Sequence, residues 1–432
     1  MNILLLGSGG REHAFAHFIH KSPLCDNLFI APGNAGTEFC GTNIELDLND
    51  FNAVWDFCVT HSIQLLVPGN EDPLVAGIAD FIETKSTELN IHVRVAGPSK
   101  YASQLEGSKD FSKEFMMNAG IPTAAYKTFN AENIDSGADF IDTLQSPYVL
   151  KADGLAAGKG VIICEDSEEA KSVLKEMILD EKFGRSSAKV VIEEFLKGIE
   201  ISVFVVSDGN DYRILGSAKD YKRIGEGDTG LNTGGMGAIS PVPFADTVFM
   251  KKVEERIIKP TLNTLRETGN PYKGFLFLGL MNVGGEPQVI EYNVRMGDPE
   301  TEAIFPRLKT DMVELLSAIG EGNLSKVKFE LNSKVAATVF VVSSGYPGSV
   351  KKGVEMHITP STREGEQYIF HAGVKSENGK FITNGGRVTT VTVLEDNLKS
   401  AIERAQILAD EIKFEGAYFR KDIGLDLLNY GQ

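Results

Sequence analysis

Residues 289 to 302 read Val-Ile-Glu-Tyr-Asn-Val-Arg-Met-Gly-Asp-Pro-Glu-Thr-Glu, and three of them have the types and spacing to do chemistry. Side chains alternate faces along a strand, so Glu291, Asn293 and Arg295 share one face, about 7 Å apart. Ile290, Tyr292 and Val294 share the other face and can bury in a core. A carboxylate and an amide oxygen suit a hard cation such as Mg²⁺. A neighbouring guanidinium suits phosphate oxygens. Asp298, Glu300, Thr301 and Glu302 follow at once. An amphipathic edge strand with a solvated face would show the same alternation, so the other motifs must decide.

Residues 151 to 160 read Lys-Ala-Asp-Gly-Leu-Ala-Ala-Gly-Lys-Gly. Gly154, Gly158 and Gly160 let backbone N–H groups approach an anion, and Lys159 adds charge. This is not a Walker A loop: only three residues separate Gly154 from Gly158, and no Ser or Thr follows Lys159. It reads as a hairpin loop folding over phosphates, with Lys151 pointing in from the strand. Residues 190–194 read as an apolar strand ending in Glu193 and Glu194, with Phe195, Leu196 and Glu200 beyond. Backbone groups at such a strand end can read an adenine edge, and a carboxylate can accept ribose hydroxyls.

The segment 219–237 is charged, then glycine-rich, with six glycines between 225 and 237. Each ordered Gly costs about 0.5–1 kcal/mol more than Ala in backbone entropy, so a loop close to substrate explains them better than a linker. Asp220, Lys222, Arg223 and Asn232 stand in the same stretch. Gly7-Ser-Gly-Gly-Arg-Glu12 follows a first strand, but a dinucleotide fingerprint fails there. Its third glycine is Glu12, and the second strand ends without a ribose-binding acid. Glycines and Arg11 at a helix N-terminus still suit a phosphate, which reads as a phosphate-sugar site without nicotinamide. Lys375 and Arg387, each near a glycine turn, can close on that phosphate from the opposite side. None of the seven histidines is assigned to metal or catalysis.

These residues need rigid elements to hold them. Up to about residue 100, strands alternate with helices: strands at 2–6, 28–31, 65–68 and 93–97, and a helix from 11 to about 21. This implies a doubly wound parallel sheet, with ligands beyond the carboxyl ends of the strands. A helix at 108–120 and a turn at 121–123 lead into a small antiparallel α+β unit over 123–206. A helix at 248–266 follows, then a hairpin of strands 274–283 and 288–294. The segment 334–342 opens a strand-rich region closed by a helix at 398–412. The expected domains are 1–104, 105–325 with its lid at about 123–206, and 326–432. The fold class is α/β and α+β multidomain.

With 432 residues and a net charge of −17, the chain does not attract nucleic acid or an anionic membrane by its overall field. No apolar run reaches the roughly 18 residues of a membrane span. The N-terminus reads as a buried strand, not a signal peptide. Four cysteines without CxxC spacing suggest neither a disulfide framework nor a zinc site, and they fit a reducing cytoplasm.

Taken together, the motifs closely resemble the phosphoribosylamine–glycine ligases (glycinamide ribonucleotide synthetases), a family of ATP-grasp carboxylate–amine ligases. The resemblance rests on GSGGREHA (7–14), APGNAGT (31–37), LEGSK (105–109), KADGLAAGKGV (151–161) and VIEEFLKGIE (191–200). GDTGLNTGGMGA (227–238), EYNVRMGDPETE (291–302), FHAG (370–373), TNGGRV (383–388) and FRKDIG (419–424) complete it. Met296 stands where Phe or Leu is usual, and Leu231 where Pro is common; neither change removes a charge. The resemblance implies an N-terminal substrate domain, an ATP-grasp domain with a mobile lid, and a C-terminal α+β domain. It implies ligation of glycine to 5-phosphoribosylamine through glycyl phosphate, with ATP as co-substrate, in de novo purine biosynthesis. Small-molecule substrates are then the only partners expected.

The resemblance also implies roles. Glu291 and Asn293 hold Mg²⁺ or Mn²⁺. Lys109 and Lys151 contact phosphates under the 154–160 loop. Glu193, Glu194, Phe195 and Leu196 read adenine, and Glu200 the ribose. Arg295 stabilises the transferring phosphoryl group. Asp220 and Asp298 frame the glycine site. Gly10, Arg11, Asn34, Gly36 and Glu71, with Lys375 and Arg387, hold phosphoribosylamine. The rivals are an ATP-grasp ligase for another acid or amine, a dinucleotide-dependent oxidoreductase, and a non-catalytic nucleotide-binding module.

Overall fold

A computed structural model describes residues 1–156, 160–358 and 366–430. The N-terminal strand Asn2–Gly7 is apolar and almost wholly buried, so it takes the centre of a five-stranded sheet. Asn27–Pro32 and Leu65–Pro68 flank it, with Thr42–Asn43 and Arg94–Val95 at the edges, all parallel. The helix Gly10–His20 starts three residues after the central strand ends. Its N-terminus therefore sits at the carboxyl rim of the sheet, where ligands of doubly wound folds lie.

A second, eight-stranded sheet carries the rest of the frame. Its order is Glu286–Asn293, Lys273–Val283, Ile199–Asp208, Tyr212–Asp220, Gly237–Ser240, Val335–Val342, Arg387–Glu395 and Glu366–His371. Every pairing in it is antiparallel. The C-terminal strands thus extend the central sheet, because Gly237–Ser240 offers a free edge to the apolar strand Val335–Val342.

The small antiparallel unit is tighter than the sequence suggests. Its four strands run Tyr126–Asn130, Lys189–Glu194, Tyr148–Ala152 and Val161–Cys164 in spatial order. It has its own apolar core, built around Phe129, Ile141, Leu150, Leu174 and Ile192. The strand Ile199–Asp208, expected inside this unit, belongs instead to the large sheet. Eight of its ten residues are buried, and it is paired along its whole length with Lys273–Val283. Such a strand needs a neighbour and a packed layer on each side, which only the large sheet provides.

Histidines tie the N-terminal helix to the C-terminal edge strand. The His371 N–H donates to His13 Nδ1 at 2.7 Å, and the His371 ring reaches Thr389 Oγ1 at 3.0 Å. Burial pushes His13 down to about 3, with His371 and His17 adding to it, and pushes His371 down to about 4. The unfolded chain therefore takes up these protons first. The stability they support is complete above the ordinary histidine pKa and is lost as pH falls toward 4 and then 3. The expected loss is about 1.4 kcal/mol per histidine for each pH unit below about 6.5. Because the raised carboxyls of Glu106 and Glu300 act in the opposite sense, the check is a difference: between about pH 7 and about pH 4.5 the wild type should lose melting temperature relative to His13→Asn, and a constant difference would contradict it.

Candidate functional site

Four neighbouring strands bring the acidic residues to one place. Gly279 stands opposite Glu291 on one side and Ser202 on the other, and Ser202 stands opposite Ala218. This register carries Glu291, Glu200 and Asp220 to a common pocket, which Lys222 and Ile290 also line. Gly279 keeps the space open: a Cβ there would lie 3.1 Å from the Glu291 Cγ.

Strict alternation fails at one point. The register of the last strand shifts where Gly279 faces Glu291 and Leu280 faces Val289, leaving Ile290 bulged. Ile290, expected in the core, faces the pocket instead. Val289, Tyr292 and Val294 supply the buried face.

Opposite charges answer one another in the pocket. Asp220 above all, then Glu200 and Glu291, hold the Lys222 ammonium well above the ordinary lysine range against burial. Lys222 Nζ lies 2.8 Å from Glu200 Oε2 and holds that carboxyl below its ordinary range. Burial raises Asp220. Burial, then Asp220, pushes Glu300 up to about 7, and Ser202 Oγ donates to it at 3.3 Å. Glu200, Asp220 and Glu291 thus gather around Lys222, with Lys219, Lys151 and Lys109 acting on them from farther off.

Lysines meet beneath the small sheet. Lys109, in the first turn of a helix capped by Ser108, donates from Nζ to the Gly154 carbonyl at 3.3 Å. Burial lowers it, while Glu291 opposes that shift and Lys151 adds to it. Lys151 Nζ lies 3.0 Å from Glu193 Oε2 and donates to the Ile290 carbonyl at 3.2 Å, on the bulge. Glu193 is buried, Glu194 and Phe195 are exposed, and Leu196 is half-buried. Gly154 packs against Ser186, and Gly160 against Ala152 and Ala156. Gly158 and Lys159 lie outside the described residues.

Arg295 joins the two large units. Its Nη2 donates to Glu106 Oε1 at 2.8 Å and its Nε to Glu71 Oε2 at 3.0 Å. Burial works against its charge, but Glu106 and then Glu71 outweigh burial and hold it above the ordinary arginine range. Burial pushes Glu106 up to about 7 despite Arg295, while Arg295 and Arg11 bring Glu71 down to about 2 against burial. Arg11 Nε donates to Glu12 Oε1 at 2.6 Å, and its Nη1 to the Met296 carbonyl at 3.1 Å. A Cβ on Gly9 would lie 3.1 Å from Asp298 Oδ2, and one on Gly10 would run into Glu302.

Other expected residues sit in the walls. The Asn34 amide donates to the Ser8 and His371 carbonyls at 2.8 Å each, and its Oδ1 accepts from the Gly36 N–H at 2.7 Å. Its side chain therefore fastens two loops together, and Gly36 packs on the His13 ring. Arg387 Nη1 donates to the carbonyls of Gly234 and Asp298, at 2.6 and 2.8 Å, over the Phe340 ring. Lys375 lies exposed on its strand, paired with Glu377.

The glycine-rich segment is an ordered hairpin of strands Arg223–Gly225 and Thr229–Asn232. Arg420, 1% exposed, forks onto Asp422 and reaches Asp228 Oδ1 at 2.7 Å and the Arg223 carbonyl at 3.0 Å. Asp422 in turn accepts from the Gly227 N–H at 2.8 Å. Arg420→Ala is expected to speed amide exchange in residues 223–232 by about ten- to a hundredfold, the worth of one charged hydrogen-bond set. The large sheet should keep its protection in the same measurement.

Three contributors escaped the sequence reading. Glu106 and Lys113 sit in helices whose polar positions look like solvated faces, and Lys222 stands in the glycine-rich stretch with no role assigned from sequence. The LEGSK motif did contain Glu106. Lys113 carried no sequence signal, since its partners Thr123 and Glu193 are distant along the chain.

Comparison with known proteins gives the same arrangement a family. Models of the phosphoribosylglycinamide synthetase N domain, ATP-grasp (A) domain and C domain match residues 1–106, 107–301 and 336–426. A phosphoribosylamine–glycine ligase of Chlorobaculum tepidum is 43% identical over 433 residues, covering 99% of this chain and 100% of its own. A bifunctional purine biosynthetic protein of Pichia angusta is 42% identical over 98% of this chain, which spans 53% of that relative's length. The crystal structure of the phosphoribosylamine–glycine ligase of Thermotoga maritima matches with a TM-score of 0.82 at 35% identity, over 98% of this chain and 100% of its own. With all three domain models matched in order, and the pocket lying in the ATP-grasp portion, the chain belongs to the phosphoribosylglycinamide synthetase family of ATP-grasp ligases.

Proposed function

We propose that this chain ligates glycine to 5-phosphoribosylamine with ATP, through glycyl phosphate, giving glycinamide ribonucleotide, ADP and phosphate. The observation that carries this reading is the pocket where Glu291 meets Glu200, Asp220 and Lys222 at neighbouring strand ends. Lys109, from its helix, and Lys151, from the small sheet, approach ATP phosphates, and Glu193 to Leu196 receive adenine. Asp220 and Lys222 offer glycine a carboxylate for its ammonium and an ammonium for its carboxylate. Arg11, Glu71 and Arg387 frame phosphoribosylamine at the rim of the parallel sheet.

Glycine's carboxylate attacks the terminal phosphoryl group and ADP leaves; the amine then attacks the acyl carbon and phosphate leaves. Arg295 offsets charge on the moving phosphoryl group, and the small sheet and the hairpin keep water from the acyl phosphate. Glu291 and Asn293 fit Mg²⁺ or Mn²⁺, since both offer oxygen, and such ions take few protein ligands beside substrate phosphates. When bound, the ion offsets charge on those phosphates.

Among the described residues no helix is long and apolar enough to cross a membrane. The reading places the enzyme in the cytoplasm, with small molecules as partners and no obligate protein partner. Its test is ADP release with phosphoribosylamine made in situ, with and without glycine. ADP formation indifferent to glycine would sink the substrate assignment and favour a ligase for another acid.

A further inference from the structure

Two lysines share one carboxylate oxygen. Lys113 Nζ lies 3.2 Å from Glu193 Oε2, and Lys151 Nζ lies 3.0 Å from the same atom. All three side chains are buried, at 2%, 6% and 5% exposure for Lys113, Lys151 and Glu193. Glu193 Oε1 has no hydrogen-bond partner among the described residues. A single lysine would balance the carboxylate. A second has only a share of that oxygen, and a buried ammonium without a full partner is costly unless an anion answers it.

The two lysines are not equivalent. Lys113 donates to Thr123 Oγ1 at 2.7 Å, and Thr123 Oγ1 donates in turn to the Val289 carbonyl at 2.7 Å. Val289 N–H donates to the Pro122 carbonyl at 2.8 Å. Lys113 is thereby fixed to the segment from which the small sheet springs and to the strand that carries Glu291. Lys151 stands on the small sheet itself, and its other bond is to one carbonyl, that of Ile290. It is the lysine that can be released.

We propose that Lys113 is a positioning residue that serves as the standing counter-ion of Glu193, so that Lys151 can leave Glu193 for the phosphates of ATP. Without Lys113, Glu193 would hold Lys151 as its sole partner, and phosphate would have to compete with a buried ion pair. Lys113 itself touches no substrate. This inference rests on the assignment of Lys151 to phosphate.

A double-mutant cycle on the full chain tests it. Lys113→Met is expected to lower kcat/KM for ATP by about tenfold or more, with KM for glycine unchanged, and Lys113→Arg to restore most of the loss. Adding Glu193→Gln to Lys113→Met removes the trap, so the double variant should match or exceed Lys113→Met and equal Glu193→Gln alone. Losses that multiply instead, as for two independent sites, would overturn the proposal. Thermal melting shows whether each variant folds. If Lys113→Met does not, Lys113→Gln, which can still reach Thr123, carries the same cycle. Lys151→Ala separates the two readings. Unchanged ATP kinetics there would remove the phosphate assignment itself, whereas a large loss beside a multiplicative cycle would remove the counter-ion role of Lys113 alone.

Discussion

Arg295→Ala is expected to lower kcat by about 10²–10³-fold, the scale of one preorganised electrostatic donor. The same change also strips two carboxylates of their counter-ion. Glu106 accepts from Arg295 at 2.8 Å and from the Val294 N–H at 2.7 Å; Glu71 accepts from Arg295 at 3.0 Å. Breaking a buried pair from one side costs about 3–5 kcal/mol, less whatever protonation recovers. Glu106, already pushed up to about 7 by burial, will take a proton once the guanidinium is gone. Loss of rate and loss of fold would therefore arrive together in the single variant. Arg295→Ala with Glu106→Gln separates them. The double variant should regain most of the melting temperature, because the remaining amide needs no counter-ion. Its kcat should stay down by about 10² or more, because no cation replaces Arg295. Arg295→Lys should fall between, since a point charge cannot fork onto both carboxylates. A double variant that recovers turnover with stability would show Arg295 to be a strut and not an electrostatic catalyst.

What the sequence showed and what it hid divide along a physical line. The strand's period set Glu291 and Asn293 on one element without reference to the rest of the fold, but Arg295, expected on the same strand, lies two residues past its end, where Glu71 and Glu106 hold it. The parallel sheet was legible because its three central strands are apolar runs that lead into Gly7, Gly33 and Gly69; the edge strand Thr42–Asn43 is short and polar and carried no such signal. Ile290 was misplaced because a bulge depends on the partner strand, and the register shift beside Gly279 leaves no mark in its own segment. The strand Ile199–Asp208 was placed in the wrong sheet for a related reason: its apolar run states that it is buried, not against what. Asn34 illustrates another limit. Its position in a glycine turn pointed to ligand, yet its amide fastens Ser8 to His371, a contact across 337 residues of sequence. Arg420 is the converse, an arginine in a charged C-terminal motif whose buried fork orders the glycine-rich hairpin.

Glu291→Gln should separate activity from stability in the opposite sense to Arg295. In the pocket Glu291 shares Lys222 with Asp220 and Glu200, and Glu300 stands close to Asp220. Lys222 and Lys109 would lose one of several carboxylate neighbours, so the melting temperature should change little. Activity should fall by at least about 10²-fold, because the divalent ion would lose its charged ligand on the protein and keep only neutral oxygens. Gln keeps the shape that fits beside Gly279, where the Glu291 Cγ already stands 3.1 Å from the place of a Cβ. The loss is then one of charge and not of packing. Raising the divalent ion concentration should recover part of the rate in Glu291→Gln and none in Lys151→Ala, whose defect lies in the phosphate contact. Isothermal titration of ATP with and without Mg²⁺ checks the assignment directly: the metal should strengthen binding to the wild type and scarcely affect the variant. An equal metal effect in both would move the ion elsewhere. Glu291 would then be left as one more carboxylate around Lys222, and Asn293 would have no role beyond its place on the strand.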